Sequence, residues 1–454
     1  MRTESFPPVE GGTCQCPPRR QSPRQAAALK RLSRLLPWPS ARGHPLREGA
    51  SYNNNCPAVF GPRCHPLCTM RPLRILIVSP YPIFPAWSGG KVRTVAIARG
   101  FVKHGHSVTV LTPMDPRQSR RLCAHEPFRV QSVAYPFLLA YALRDRPFPY
   151  LFLASFHPGL RAMLAPLLRD YDVVQFEHAA FAGLVHGVPS DVVTAYDAHN
   201  VEFDYLTQEC RSRGIADIVG RRMQRLERRL VQRSDRVCVV SDHDTRRFAD
   251  LYALDHRKAV SAPNGIDEVG AVASDPSGVF RRHPGLERFR VRAVYSGSDV
   301  EHNRRAVRFL LDHVVPRAAD VGIVFQGGCG RRFAGMCGHS NVFFDHDHRS
   351  FHHYAVVGTV GLNPALSGAG TNLKVLNYLA HGVPVVTTPF GMRGYEDFSG
   401  CMRVCAVDEF LPALLAGDFP PPPNPAELLE RYSWTNIAGR MAAAYHDVIA
   451  ARDG

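Results

Sequence analysis

Hydrophobic positions beyond residue 73 follow two alternating periodicities. Continuous apolar runs, such as RILIV at 74–78, predict strands that are buried on both faces of a parallel sheet. In the segment that follows, Val92, Val95 and Phe101 recur at helical spacing, and Gly105 ends the pattern. This alternation of strand and helix predicts an α/β fold with parallel sheets.

The strand–helix pattern occurs twice along the chain. Strands of the first series are predicted at 74–80, 106–113, 171–177, 191–199 and 236–241. Strands of the second series are predicted at 292–298, 321–328, 341–345, 356–364 and 383–389. We therefore divide the chain into an N-terminal Rossmann-like domain (70–268), a linker (269–289), a second Rossmann-like domain (290–432) and a closing helix (433–454). Ligands of such sheets bind at the carboxyl ends of the strands, which here predicts a site in the cleft between the two domains.

Residues 1–69 differ from the rest of the chain. They hold ten Lys or Arg against three Asp or Glu, together with 11 of the 37 prolines. They have no hydrophobic periodicity, so they bury too little apolar surface to offset the entropy of ordering. We expect this segment to be a disordered extension or an upstream addition to a protein whose natural start is Met70.

Net charge, cysteine content and hydropathy narrow the classes of binding partner and the compartment that the sequence favours. The chain has 454 residues and a formal net charge of +15, which suits nucleic acid, an anionic membrane surface or phosphorylated substrates. No nucleic-acid-binding motif accompanies the charge, so we expect no nucleic-acid partner. The seven cysteines beyond residue 69 form no CxxC pair, which is typical of reduced thiols in the cytoplasm. The most apolar stretch, 133–156, contains charged residues and is no membrane span.

A glycine-rich turn precedes one helix of the second series. The residues Ser367, Gly368, Gly370 and Thr371 have little side-chain bulk, so backbone N–H groups can approach an anion closely. Thr371 is the expected N-cap, and the positive end of the helix dipole favours phosphate. Lys374 and Asn377 lie three residues apart on one flank of the predicted helix, within reach of a ligand at the turn. A turn that only packs is the alternative, and neither a Walker A nor a GxGxxG motif is present.

Several segments carry a family resemblance. LNPALSGAGTNLKVLNYLAHGVPVVTTPFGMRG at 362–394 resembles the donor-binding segment of family-4 glycosyltransferases of the GT-B fold. RILIVSPYPIFPAWSGGKVRTVAIARGFVKHGHSVTVLTP at 74–113 resembles the first βαβ unit of that family, and YDAHNVEFDYL at 196–206 resembles its strand end with an active-site histidine. The resemblance covers about residues 71–450.

The resemblance implies a retaining sugar transferase that uses a nucleotide-diphosphate sugar and a glycan, lipid-linked or small acceptor. It implies His199 and Lys374 as catalytic residues, with no metal and no bound cofactor. Arg304 or Arg305 is expected to supply a second cation for the leaving phosphate, as stabilising that charge is the main catalytic task. The implied donor-binding residues are Gly89, Gly90, Ser367, Gly368, Ala369, Gly370, Thr371, Asn372, Lys374, Asn377 and Arg304. Glu202 is a candidate partner for His199 or a helix N-terminal charge, and Asp197 is expected to be structural.

One departure from the family pattern concerns two glutamates that many members carry eight positions apart. Here these positions hold Ala369 and Asn377. Asn377 can still form hydrogen bonds with ribose hydroxyls but brings no charge.

Two further patterns are open to interpretation. DHDHRSFHH at 345–353 has the composition of a metal site, but a solvated turn is the preferred interpretation. The basic helix predicted at 221–236 is either a core-facing helix with a cationic outer side or a contact with the inner face of a membrane.

Three other functions on the same fold remain as alternatives. A phosphorylase is disfavoured because no Schiff-base lysine motif for pyridoxal phosphate is present. A sugar-nucleotide epimerase is disfavoured because such enzymes lack the SGAGTNLK form. A non-catalytic sugar-nucleotide-binding protein is favoured only by Ala369 and Asn377. The donor base, the sugar, the acceptor and the oligomeric state are not predicted by the sequence.

Overall fold

The structure is a computed structural model, and it describes residues 71–86, 88–133, 164, 166–210, 214–267, 269–346 and 351–454. The expected extension at 1–69, most of the apolar stretch at 133–156, and Asp347 and His348 of the histidine-rich segment lie outside the described residues.

The first domain is built on a seven-stranded sheet in which every neighbouring pair is parallel. The strand order is β3-β2-β1-β4-β5-β6-β7. The strands are β1 (Arg74–Val78), β2 (Ser107–Pro113), β3 (Arg129–Val133), β4 (Val173–Phe176), β5 (Val193–Ala198), β6 (Arg236–Val239) and β7 (Ala259–Ser261). The helices are α1 (Gly89–Lys103), α2 (Pro116–Leu122), α3 (Glu202–Cys210), α4 (Ala216–Arg233) and α5 (Asp242–Tyr252).

The second domain has a six-stranded parallel sheet with the order β10-β9-β8-β11-β12-β13. The strands are β8 (Val291–Ser296), β9 (Val321–Gln326), β10 (Val342–Asp345), β11 (Thr359–Asn363), β12 (Val385–Thr387) and β13 (Arg403–Val404). The helices are α6 (Ser277–Arg282), α7 (Glu301–Phe309), α8 (Leu373–Ala380), α9 (Pro389–Met392), α10 (Phe410–Ala416) and α11 (Pro425–Tyr432). The predicted architecture of two parallel-sheet domains is therefore confirmed.

The segment predicted as a linker, 269–289, contributes to the second domain. Helix α6 lies within it, and Val279 and Leu286 are buried in the second domain's core. A backbone bridge joins Ala273 to Val356. The segment thus packs as part of the domain that it was expected only to connect.

The closing helix α12 (Trp434–Asp453) returns to the first domain. Trp434, Ile437 and Met441 are buried in the same core as β1 and α1. A Cβ on Gly100 of α1 would lie 2.6 Å from the Cβ of Ala438, so a glycine is required where the two helices cross. The C-terminus therefore ties the second domain back to the first.

No helix in the described part of the chain combines the length and the apolarity that crossing a membrane requires. The seven described cysteines are all free thiols.

Candidate active site

The glycine turn (residues 367–371) connects β11 to α8 and lies against the first domain. Gly368 and Gly370 have φ angles of 137° and 66°, which side chains rarely adopt. A Cβ on Gly370 would lie 2.8 Å from the carbonyl oxygen of His199. The turn therefore needs glycine both for its conformation and for its close approach to the first domain.

Helix α8 begins one residue later than predicted. Asn372, not Thr371, occupies the N-cap position, and its side chain makes no capping hydrogen bond. The Thr371 hydroxyl instead accepts hydrogen bonds from Asn264 of the first domain (2.9 Å) and from Tyr395 (3.3 Å). The prediction of Thr371 as the N-cap was wrong, because these two side chains already engage its hydroxyl. The first amides of α8 remain without a side-chain cap, as an anion-binding helix end requires.

Lys374 lies in the first turn of α8 and points towards β8 and α7. Its Nζ donates to the hydroxyl of Tyr295 (2.8 Å) and to Oδ1 of Asn303 (2.9 Å). It also lies 3.9 Å from the centre of the Tyr295 ring, at cation–π distance. No described carboxylate lies within ion-pair distance, and burial lowers the pKa of Lys374 to about 7. The ammonium is thus a desolvated cation without an anion to balance it.

Two further cations, Lys91 and Arg393, form no ion pair with a carboxylate of the described residues, although Asp244, Glu396 and Asp204 act on Arg393 from a distance. Lys91 follows Gly90 in the first turn of α1, and burial lowers its pKa. Arg393 stacks on Phe390 with its guanidinium 3.7 Å from the ring centre and donates weakly to the carbonyl of Gly370 (3.5 Å). Sequence reasoning missed both residues, although each lies within a segment that carries the family resemblance.

Arg304, predicted as a second cation for the donor, is already paired. Its Nε donates to Asp299 at 2.6 Å, and a second nitrogen lies 3.4 Å from Glu301. Arg305 contacts Glu301 at 3.5 Å and lines the same small pocket as Ser367 and Gly368. Of the two arginines, Arg305 is therefore the one that the structure brings to the glycine turn.

The two remaining family positions on the donor side differ in exposure. Ala369 is partly exposed within the turn, whereas Asn377 is exposed on α8, and its backbone carbonyl contacts the ring of His381 at 2.8 Å. The Asn377 side chain is therefore free to meet a ligand hydroxyl.

His199 follows β5 and lies across the cleft from the turn. Its Nε2 lies 2.8 Å from Oε2 of Glu177, a fully buried residue at the end of β4. Burial alone would raise the pKa of Glu177, but the hydrogen bond from His199 lowers it. An ionised carboxylate can only accept, so Nε2 carries the proton. The hydroxyl of Tyr81 lies 3.3 Å from the other ring nitrogen, Nδ1.

Glu177 and Asp197 are each held by other side chains. Thr94 and Gln175 donate to Glu177, both at 2.7 Å. The buried guanidinium of Arg93 binds both oxygens of Asp197, at 2.5 and 3.0 Å. Oxygen and nitrogen atoms of Glu177, Asp197 and His199 lie within 4.8 Å of one another, close enough to hold a metal ion. Since Arg93 already neutralises Asp197, this group fits a protein cation better than a metal.

Glu202, a candidate partner for His199, contacts a different histidine. Oε2 of Glu202 lies 2.7 Å from Nε2 of His178, and both side chains are buried. The residue that partners His199 is Glu177, which sequence reasoning missed because the contact joins the ends of two separate strands.

Gly89 and Gly90 complete the cleft from the first domain. A Cβ on Gly90 would lie 2.6 Å from the Tyr81 hydroxyl, and one on Gly89 would lie 3.1 Å from the side chain of Leu373 in α8. The structure therefore brings Gly89 against the start of α8, Gly90 against Tyr81 and His199, and His199 against Gly370 of the glycine turn.

Of the histidine-rich segment, the described part is engaged within the second domain. Asp345 accepts from the hydroxyl of Tyr354 (2.5 Å) and from Arg282 (3.3 Å). His352 and His353 contact each other, with ring centres 4.1 Å apart.

Two Rossmann-like domains with parallel sheets that face each other across a cleft form the GT-B fold. Here the glycine turn belongs to the second domain and the His199–Glu177 pair to the first. Residues 87–269 match the family model described as Glycosyltransferase Family 4. No curated protein sequence matches the chain.

Solved glycosyltransferases share this fold at low sequence identity. HepE from Anabaena, in complex with UDP and glucose, aligns with a TM-score of 0.55 at 13% identity over 82% of this chain and 95% of HepE. Sucrose-phosphate synthase from Thermosynechococcus elongatus aligns with a TM-score of 0.53 at 14% identity over 84% of this chain and 97% of that enzyme. WaaG, a glycosyltransferase involved in lipopolysaccharide biosynthesis, aligns with a TM-score of 0.53 at 17% identity over 83% of this chain and 98% of WaaG.

Proposed function

We propose that this protein is a glycosyltransferase that takes a sugar from a nucleotide-diphosphate donor. The observation that carries the proposal is the Lys374 ammonium, which is desolvated, lacks a carboxylate and lies behind the glycine turn. A diphosphate is the kind of ligand that uncapped amides, a helix N-terminus and an unbalanced cation bind together. The family match and the description of HepE in complex with UDP-glucose support the same donor class.

A thermal-shift screen with UDP, GDP, ADP and their sugars tests the donor class. We expect one nucleotide sugar to raise the melting temperature, because a ligand that binds only the folded state stabilises it. Lys374→Met should weaken binding of that donor roughly 10- to 100-fold, the effect of losing a hydrogen-bonded charge.

The exposed lysine at the end of α1 provides the matched control. Lys103→Met removes the same charge away from the cleft and should leave donor affinity unchanged. No stabilisation by any nucleotide, or equal losses in the two variants, would contradict the proposal.

We extend the proposal to a retaining reaction without a metal ion. A covalent route needs a free carboxylate at the sugar, but Glu177 and Asp197 both lie in hydrogen bonds with buried partners. A front-face transfer, with the leaving phosphate assisted by Lys374 and the turn amides, fits this arrangement. The anomeric configuration of the product, read by proton NMR, tests retention, and activity in excess EDTA tests metal independence.

The acceptor side of the proposal is a glycan or a lipid-linked saccharide, reached from the cytoplasmic face of a membrane. Support comes from the arginines of α4, which form an exposed cationic surface around Ile218, itself 57% exposed. Cationic helices with an apolar component bind anionic lipid surfaces. The free thiols of the described cysteines are typical of a reducing compartment.

A further inference from the structure

Tyr81 occupies the cleft next to His199, yet nothing in the donor-binding pattern requires it. It lies in the loop after β1, and its hydroxyl contacts Nδ1 of His199 at 3.3 Å. The absence of a Cβ at Gly90 creates the space for this hydroxyl, since such an atom would lie 2.6 Å from it. The residue is partly buried, and its hydroxyl lies beside His199 and Gly90 on the first-domain side of the glycine turn.

The backbone of Tyr81 is fixed from two sides. The Ser79 hydroxyl donates to its carbonyl at 3.0 Å, and the Thr112 hydroxyl at the end of β2 donates to the same carbonyl at 2.7 Å. Two hydrogen bonds to one carbonyl restrict the loop at this residue. The phenol is thus held in place before any ligand arrives, as an effective binding group must be.

Behind the phenol lies a chain of hydrogen bonds. Glu177 accepts from Nε2 of His199, and the other ring nitrogen, Nδ1, contacts the Tyr81 hydroxyl. Desolvation, followed by the charge of Glu177, raises the pKa of Tyr81 well above its ordinary value, against a hydrogen bond from Thr94 that lowers it, so the phenol keeps its proton at physiological pH. A phenol both donates and accepts, so beside these contacts the Tyr81 hydroxyl has capacity for one further hydrogen bond.

We propose that Tyr81 is a substrate-contacting residue whose hydroxyl, oriented by His199 and Glu177, forms a hydrogen bond with a hydroxyl group of the transferred sugar. This inference rests on the proposed function. It revises the expected role of His199, since both of its ring nitrogens already have partners. His199 acts through the phenol, and Tyr81 presents the polar atom that meets the sugar.

Tyr81→Phe removes only the hydroxyl and is the variant to measure. We expect nucleotide affinity to stay within about twofold of wild type, because the phenol is not part of the glycine turn. Turnover with the donor should fall about tenfold or more, the loss expected for one well-placed hydrogen bond. Urea unfolding of the same variant shows whether the fold is intact.

A series of deoxy-sugar donors identifies the hydroxyl that Tyr81 contacts. For the wild-type protein, a donor that lacks this one sugar hydroxyl should have a kcat/KM about tenfold lower than the intact donor. For Tyr81→Phe, the two donors should have nearly the same kcat/KM. His199→Ala and the double variant His199→Ala/Tyr81→Phe should have the same turnover number, because the phenol acts as one unit with the imidazole ring. Effects that add at every sugar position, or wild-type turnover in Tyr81→Phe, would overturn the inference.

Tyr354→Phe is the matched control, because it removes a buried hydroxyl that is bonded to Asp345 in the second domain. It should lower stability without changing turnover. If wild type neither binds nor uses any nucleotide sugar, the proposed function fails and this inference with it. If wild type is active and Tyr81→Phe matches it, only the inference about Tyr81 fails.

Discussion

Lys374 is a cation whose surroundings favour the neutral form until an anion arrives. Its neighbours are the neutral groups of Tyr295 and Asn303, and burial lowers the pKa of Lys374 to about 7. A bound diphosphate would supply the missing negative charge and raise this pKa. Donor binding should therefore be coupled to proton uptake by the lysine.

The coupling predicts a pH dependence of donor affinity. The fraction of protein with protonated Lys374 falls as pH rises through about 7, so the dissociation constant should rise roughly tenfold between pH 6.5 and 8. A nucleotide sugar is the ligand to use, because its diphosphate keeps a constant charge over this range. Two groups that interact with Lys374 titrate outside this pH range: burial lowers the pKa of His302 to about 4 and raises the pKa of Cys329 to about 11.

Calorimetric titrations at several pH values, in buffers of different ionisation enthalpy, measure both the affinity and the protons taken up. Lys374→Met should bind weakly and with no pH dependence in this range. A wild-type affinity that stays constant from pH 6.5 to 8 would show that Lys374 does not respond to the donor.

At the level of single residues, the sequence points to candidates where a motif is contiguous. The glycine turn, Lys374 and His199 each lie in or next to a recognisable segment, and the structure brings the turn next to the His199 backbone. Glu177 and Tyr81 were missed, since their contacts with His199 join positions 22 and 118 residues apart. No local spacing rule reports such pairs.

At the level of elements, Glu227 of α4 anchors the helix that follows His199. Its carboxyl group accepts hydrogen bonds from the first backbone amides of α3, those of Glu202 (2.7 Å) and Phe203 (3.1 Å). It also accepts from the hydroxyls of Tyr196 (3.1 Å) and Tyr252 (2.6 Å). One fully buried side chain thus caps α3 and joins it to β5 and α5.

Removing this cap should be costly for stability. Glu227→Ala leaves two helix amides and two buried hydroxyls without their acceptor, and we expect a loss of about 3 kcal/mol or more in the free energy of unfolding. Glu430→Ala, on an exposed position of α11, should change the same quantity by less than about 0.5 kcal/mol. Urea unfolding measures both changes. A loss below about 0.5 kcal/mol in both variants would show that the Glu227 cap does not stabilise the fold as we expect.

The strands that the sequence did not predict share one property. β3, β7 and β13 each lie at an edge of their sheet, and β7 and β13 have only three and two residues. A short edge strand forms because a neighbour offers hydrogen bonds, not because its own pattern is strong. The central strands were predicted because burial on both faces gives them continuous apolar runs.

At the level of the whole molecule, polar contacts join the two domains on both sides of the glycine turn. Gln208 of α3 makes two hydrogen bonds with the backbone of Gly368, at 2.8 and 3.1 Å, and Asn264 donates to Thr371. The backbone N–H of Gly368 donates to Oε1 of Gln208 and is thereby already engaged by the protein. If a donor phosphate binds this N–H group, a phosphate oxygen must replace Oε1 of Gln208 as its hydrogen-bond acceptor.

The cationic face of α4 predicts binding to anionic vesicles. Changing Arg221, Arg225 and Arg229 together to Glu should abolish sedimentation with phosphatidylserine-containing vesicles at low salt, because each basic residue near such a surface contributes about 1 kcal/mol. Soluble donor hydrolysis should not change, since these residues lie away from the cleft.

Three exposed arginines of the second domain, Arg308, Arg317 and Arg331, give a control with the same change in net charge. Their replacement by Glu should leave vesicle binding intact. If both triple variants lost vesicle binding to the same extent, the net charge of the protein and not the surface of α4 would account for the binding.

A crystal structure with the nucleotide sugar that gives the largest thermal shift tests most directly where the donor binds. We predict that the diphosphate lies at the glycine turn, with its oxygens within hydrogen-bond distance of the amides of Gly368 to Asn372 and with Lys374 as the nearest cation. A nucleotide sugar bound elsewhere, with the amides of the turn still engaged by the protein, would contradict it.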